Sequence, residues 1–147
     1  MIQITSPDFQ DQENLPARFT CDGVGVNPAL SLTNIPPNTQ SLVLIVDDPD
    51  APAGTFTHWL VWNLDPHIKE IKSGELPAGA SVGLNSGRQT NYYPPCPPSG
   101  THRYFFQIFA LDTRLSLPAG SSRDELEKAC QNHIVDQAVL VGFYSHR

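Results

Sequence analysis

Three short segments of this 147-residue chain combine ionisable or hydrogen-bonding side chains with a backbone stiffened by proline. The first is Asp47-Asp48-Pro49-Asp50-Ala51-Pro52. Proline fixes its own φ and restricts the residue before it, so these acids are held in place rather than left waving in solvent. Taken alone, the segment also reads as a proline turn with solvated acids. The second is His58-Trp59, where packing at a strand end competes with a ligand role. The third runs Pro94-Pro95-Cys96-Pro97-Pro98-Ser99-Gly100-Thr101-His102-Arg103-Tyr104. A strand beginning at its end puts His102 and Tyr104 on one face. Both side chains can donate hydrogen bonds to an anion. Taken alone, this segment also reads as a polyproline rim loop.

The elements that must position these residues are mostly strands. Ser41 to Val46 is an unbroken β-rich run that leads directly into the acids and reads as a buried strand. Thr57 to Asn63 is a second strand. His102 to Leu111 is a third, with His102, Tyr104, Phe106 and Ile108 on one face and Arg103, Phe105, Gln107 and Phe109 on the other. Both faces are largely apolar, which predicts a central strand covered on both sides. Ala138 to Tyr144 reads as the last strand and Ile2 to Thr5 as a first. Ser122-Arg123-Asp124-Glu125 has the form of a capping box. Leu126, Ala129, Cys130 and His133 follow it at amphipathic helical spacing. A turn or short helix falls between Pro66 and Pro77. The stretch from Leu84 to Thr101 reads as a long ordered loop, a kind of loop that is often functional. The expected fold is mainly β, a sandwich with one or two small peripheral helices, in a single domain over residues 1–147.

Composition narrows the function. The net charge is −6, and the nine Lys and Arg residues are scattered without a run. Nucleic-acid binding needs a clustered basic face, so no nucleic-acid partner is expected. No stretch of ~18 apolar residues exists to span a membrane. The N-terminus has no basic region followed by an apolar one, which predicts a cytoplasmic protein without an integral membrane segment. Cys21, Cys96 and Cys130 are odd in number and widely spaced, which argues against a disulfide scaffold. Whether Cys21 and Cys96 approach each other is open. Cys130, on the apolar helix face, reads as a buried inert thiol.

Taken together, the three segments resemble the signatures of the phosphatidylethanolamine-binding protein family, also called Raf-kinase-inhibitor-like proteins, and especially its short bacterial branch. Asp48-Pro49-Asp50-Ala51-Pro52 is similar to the first signature and Pro95 through Tyr104 to the second, with His58-Trp59 where the branch has its His-Trp. Further matches are Phe19-Thr20-Cys21-Asp22-Gly23, Pro77-Ala78-Gly79, Phe109-Ala110-Leu111-Asp112 and Leu140-Val141-Gly142. The resemblance implies a β-sandwich with flanking helices and a small anion pocket lined by Asp48, Asp50, His58, Pro98, His102 and Tyr104. It also implies a cis bond before Pro52. One departure stands out: Asn85-Ser86-Gly87-Arg88 occupies the place of the branch's Asn-Asp-Phe-Gly. Arg88 there reads as solvated, with extra positive charge at the pocket rim as the alternative.

The expected function is binding of a small anion or phosphorylated head group by a regulatory module, with no enzyme activity, cofactor or metal. Two acids beside an anion need explaining. Either a carboxylate holds a histidine in its cationic form, or the acids face the ammonium of a zwitterionic head group. Both readings make affinity fall as the pocket histidines lose their protons. Nothing signals a cavity for acyl chains, so a head group is expected rather than an extracted lipid. The alternatives are inhibition of a kinase or serine protease through protein contact, and, less favoured, a hydrolase using Asp, His and Tyr with Cys96 as a conceivable nucleophile. A zinc site on Asp48, Asp50, His58 and His102 lacks compact ligand spacing. A homodimer is consistent with the bacterial branch.

Overall fold

The computed structural model describes residues 1–146. Among the described residues nine strands and one α-helix follow in order: β1 (Gln3–Thr5), β2 (Glu13–Asn14), β3 (Leu30–Thr33), β4 (Ser41–Asp48), β5 (Phe56–Leu64), β6 (Glu70–Ile71), β7 (Ser81–Val82), β8 (Thr101–Leu111), α1 (Arg123–Cys130) and β9 (Ile134–Ser145). β1, β3 and β6 form a small sheet in the order β1-β3-β6. The other six form a large one, in the order β2-β9-β8-β4-β5-β7. All pairings are antiparallel except β2 with β9.

The sandwich follows from alternation along the buried strands. Leu42, Leu44 and Val46 of β4, Trp59 and Val61 of β5, and Tyr104, Phe106 and Ile108 of β8 pack in one core with Ile4, Leu30 and Leu32 of the small sheet. The intervening Val43, Ile45, Leu60 and Trp62 face the other way, against Leu126 and Cys130 of α1 and Leu115 of the loop before it. The unbroken apolar run from Leu42 to Val46 of β4 is thus explained by burial on both faces of the sheet.

α1 begins as the capping box predicts. The Ser122 hydroxyl accepts from the Glu125 amide, and the Glu125 side chain accepts from the Ser122 amide. The helix ends at Cys130, so His133 is not on it; His133 lies beyond the turn, its Nδ1 2.7 Å from Asp112 Oδ1. Burial pushes the Cys130 thiol up to about 11, in keeping with an inert packed side chain. Between Pro66 and Pro77 the chain forms turns and the two-residue strand β6 rather than a helix. β8 is flanked on both edges, but only one of its faces is closed. His102, Tyr104, Phe106 and Ile108 are buried, whereas Phe105, Gln107 and Phe109 are half-buried and Arg103 is exposed. α1 is too short to cover the whole outer face, which corrects the expectation of cover on both sides.

Candidate functional site

β4 lies between β8 and β5, and all three contribute to one end of the large sheet: the C-terminus of β4 and the N-termini of β5 and β8. Asp48 closes β4, Phe56 and His58 open β5, and His102 and Tyr104 open β8. The pairing of β4 with β5 slips by one residue, from Val46 opposite Trp59 to Asp47 opposite Thr57. His58 is the extra residue. A bulge of this kind re-aims a side chain. Here it puts His58 on the same side of the sheet as its neighbour Trp59, where strict alternation would have sent it to the helix side.

The result is a cavity of about 250 Å³ lined by Asp48, Phe56, His58, Tyr93, Pro98, His102 and Tyr104, among others. Five of the six predicted residues therefore converge. Asp50 does not line it. Its carboxylate turns to Arg103, accepting from the Arg103 amide at 2.9 Å, from Nε at 2.9 Å and from Nη2 at 2.8 Å. That guanidinium holds the Asp50 carboxyl down at about 2, with partial burial opposing. The peptide bond before Pro52 is trans, as are all those among the described residues, so the implied cis bond is absent. The acid-bearing turn is instead closed by the Asp50 amide, which donates to Asp48 Oδ1 at 2.8 Å.

Asp48 is spent on positioning. With Oδ1 taken by that amide, Oδ2 lies 2.6 Å from Nδ1 of His102, and both side chains are almost wholly buried. His58 is held differently. Its Nδ1 lies 2.6 Å from the Tyr93 carbonyl, which can only accept, so the proton is on Nδ1. The Tyr93 amide donates back to the His58 carbonyl at 2.9 Å, fixing the loop to the strand. Burial holds the His58 pKa below its ordinary value, and outweighs the opposing pull of the Tyr93 carbonyl and of the Asp48 and Asp47 carboxylates. A neutral His58 with its proton on Nδ1 presents Nε2 as an acceptor. Nε2 of neither histidine has a protein partner among the described residues.

Tyr104 is buried, and among the described residues none meets its hydroxyl with good hydrogen-bond geometry. Burial, and after it the charge and hydrogen-bonding pull of the nearby Asp48 carboxylate, push its pKa far up, so it stays a phenol. The pocket thus offers one fixed donor, Tyr104 O–H, one acceptor, His58 Nε2, and one group that donates only when protonated, His102 Nε2.

The loop before β8 builds the far wall. Asn85 is buried and carries it: Nδ2 donates to the Asn91 carbonyl at 2.9 Å, and Oδ1 accepts from the Gln89 amide at 3.0 Å. A β-carbon on Gly87 would lie 2.3 Å from the Tyr93 ring, so the missing side chain there makes room for Tyr93. Arg88, at the next position, is exposed with φ 62° and lies off the pocket, in agreement with the solvated reading. Cys96 also lines the cavity, and it is disulfide-bonded to Cys21, contrary to the expectation from cysteine number and spacing. The fold brings together residues 75 positions apart, which spacing alone does not reveal. Phe56 and Tyr93 escaped notice too: an aromatic residue in the sequence carries no signal of which cavity it will line.

Fold and site together define a class. Residues 5–145 match the family model for phosphatidylethanolamine-binding proteins, and the chain belongs to that family. A UPF0098 protein of Pyrococcus abyssi is 44% identical, over 100% of this chain and 86% of its own length. Another, from Chlamydia trachomatis, is 40% identical over 97% of this chain and 98% of its own. The crystal structure of a phosphatidylethanolamine-binding protein homologue from Chlamydia trachomatis superposes with a TM-score of 0.96 at 39% identity, covering 99% of this chain and 98% of that one. Escherichia coli YbcL, described as a new member of the mammalian family, superposes at 0.92 with 26% identity, covering 99% of each chain.

Proposed function

We propose that the pocket binds a small phosphate monoester, such as a phosphorylated head group, and that the protein is a regulatory binding module rather than an enzyme. The observation that carries this reading is the Tyr104 hydroxyl, buried in the pocket wall with no partner of good hydrogen-bond geometry among the described residues. A buried polar group without a partner costs roughly 1–3 kcal/mol, so its retention in a pocket wall is explained by a ligand that accepts from it. The acids do not oppose an anion, because Asp50 is neutralised by Arg103 and Asp48 faces His102. A protonated His102, held by Asp48 at Nδ1, donates to the anion from Nε2. Neutral His58 accepts from a singly protonated phosphate or from the ammonium of a zwitterionic head group. A cavity of about 250 Å³ suits such a group and leaves no room for acyl chains.

Catalysis is disfavoured on the same geometry. Cys96, the conceivable nucleophile, is locked in a disulfide. The cavity lining otherwise holds no serine, threonine or lysine, and a phenol with a raised pKa is a poor nucleophile.

The test is an NMR titration with phosphoethanolamine, inorganic phosphate, a phosphoserine peptide and zinc in separate arms. Shifts on His58, His102 and Tyr104 with the first two support the reading, and the peptide arm extends it to a phosphorylated protein partner. Shifts with zinc alone, or with nothing, refute it. The proposed location is the cytoplasm. No described helix is long and apolar enough to cross a membrane. The disulfide weighs the other way, since such bonds persist mainly in oxidising compartments. Thiol trapping in intact cells decides: free Cys21 and Cys96 thiols support the cytoplasm, a persistent disulfide opposes it.

A further inference from the structure

The Cys21–Cys96 disulfide has a third soft donor beside it. Nδ1 of His146 lies 3.6 Å from Cys21 Sγ, and the two sulfurs and this nitrogen all fall within 4.8 Å of one another. Tetrahedral zinc, with Zn–S of ~2.3 Å and Zn–N of ~2.0–2.1 Å, sets its donors about 3.4–3.8 Å apart. The Cys21–His146 separation already meets that spacing. The two sulfurs would have to part to about 3.8 Å, and Cys96 and His146, within 4.8 Å of each other, would have to settle at about 3.4–3.8 Å.

We propose that two-electron reduction of this disulfide creates a zinc site formed by Cys21, Cys96 and His146, with water at the fourth position. This proposal stands apart from the reading of the anion pocket. Its main requirement is that the cysteines stay together once the S–S bond is gone, and three contacts independent of sulfur hold them. The Cys21 amide donates to the Pro95 carbonyl at 3.0 Å. The buried Tyr92 hydroxyl donates to the Phe19 carbonyl at 2.9 Å. Pro94 packs so closely on Gly25 that a β-carbon there would lie 2.8 Å from Pro94 Cγ. The two loops are therefore pinned on either side of the sulfurs, and the reduced thiols remain a preorganised pair.

Access and charge favour the same chemistry. Both cysteines are exposed, so a reductant reaches them, and exposed disulfides are the labile ones. The Asp22 carboxylate, which holds His146 Nδ1 at 2.9 Å in the disulfide form, would yield that nitrogen to the ion and remain beside it as negative charge. In the reduction, a dithiol transfers two electrons to the Cys21–Cys96 bond and is itself oxidised to a disulfide, leaving two cysteine thiols. Zinc then displaces one proton from each thiol to solvent and takes the two thiolates and neutral His146 as ligands. Because Cys96 also lines the cavity, the switch and the pocket share a wall.

The experiment uses the full chain reduced by a water-soluble phosphine, with circular dichroism to follow the fold and Co(II) as the spectroscopic stand-in for zinc. Reduced protein is expected to keep its fold and to bind one Co(II), with the sulfur-to-cobalt charge-transfer bands of a tetrahedral thiolate site, bleached by zinc. Oxidised protein is expected to show none. His146→Ala should weaken zinc binding by roughly 10–100-fold, at least the cost of losing an outer-shell partner. Cys21→Ser with Cys96→Ser should abolish the charge-transfer bands. Unfolding on reduction, a folded reduced protein without those bands, or zinc affinity unchanged in either variant would each overturn the proposal.

Discussion

Nδ1 of His102 lies 2.6 Å from Oδ2 of Asp48, with both side chains almost wholly buried, and the other Asp48 oxygen accepts from the Asp50 amide. One carboxylate thus orients the histidine and closes the turn that follows β4. Asp48→Ala is expected to cost roughly 1.5–3 kcal/mol of stability, the range for hydrogen bonds to charged groups. It should also weaken phosphate binding about tenfold or more, because each ~1.4 kcal/mol of lost orientation is tenfold in affinity. Calorimetric titration and chemical denaturation read the two effects separately. Unchanged affinity would mean that His102 does not need Asp48 to meet its ligand.

Tyr104→Phe is expected to do two opposite things. It removes a buried hydroxyl that has no well-aligned partner among the described residues, so the unliganded protein should be as stable as the parent or more so, by up to about 1–3 kcal/mol. Phosphate affinity should fall. Thermal unfolding with and without phosphate measures both. A variant that loses stability and keeps its affinity would make Tyr104 a packing residue.

His58 sets a pH dependence of known sign. Its folded-state pKa lies below the ordinary 6.5 because burial disfavours the cation. The unfolded chain therefore binds its proton first as the pH falls. The stability contributed by neutral His58 is complete above 6.5 and is lost as the pH drops through the lower folded-state value. His58→Gln has no such proton, so the stability gap between parent and variant should narrow from pH 8 to pH 5. Urea midpoints across that range test it; a constant gap would place His58 at its ordinary pKa.

Asp50 and Arg103 form a solvent-screened surface pair, so their worth in stability is small despite the marked pKa shift. The depressed carboxyl contributes above the ordinary 3.8, and the contribution is lost as the pH falls through about 2. Arg103→Ala should return the Asp50 carboxyl toward 3.8, as read by carbon NMR. It should also weaken phosphate binding at low salt but not at high salt, since an uncompensated acid beside the pocket is screened by ions.

Gly87→Ala drives a methyl group into the Tyr93 ring. Overpacking of this kind costs typically about 1–3 kcal/mol. Displacing Tyr93 also disturbs the carbonyl that fixes the His58 tautomer, so His58 ring resonances should shift in the NMR spectrum. Arg88→Ala, on the exposed neighbour, should leave those resonances and phosphate affinity unchanged.

Local rules sufficed wherever the deciding interactions lie close in the chain. The run from Ser41 to Val46, the capping box at Ser122 and the shared face of His102, Tyr104, Phe106 and Ile108 were legible because propensity and side-chain period act over a few residues. The proline-stiffened segments stood out as candidates, but the six pocket residues were what their resemblance to a known family implied, and five of the six line the cavity.

What only the tertiary structure decided is which partner each of those groups takes. The alternation of β5 does not foretell a bulge at His58, because the register slip depends on the pairing with β4. The type of residue 50 does not foretell that it answers Arg103 rather than the pocket, since that pairing spans 53 positions. Cysteine number and spacing pointed away from a disulfide that forms because the Cys21 and Pro94–Pro98 loops are packed against each other. Residue types and local periodicity determined the sandwich, and the resemblance of three segments to a known family gave the address of its site. The protonation pattern, the compensated acids and the bonded sulfurs are set by long-range packing, where burial and proximity shift charge and reactivity.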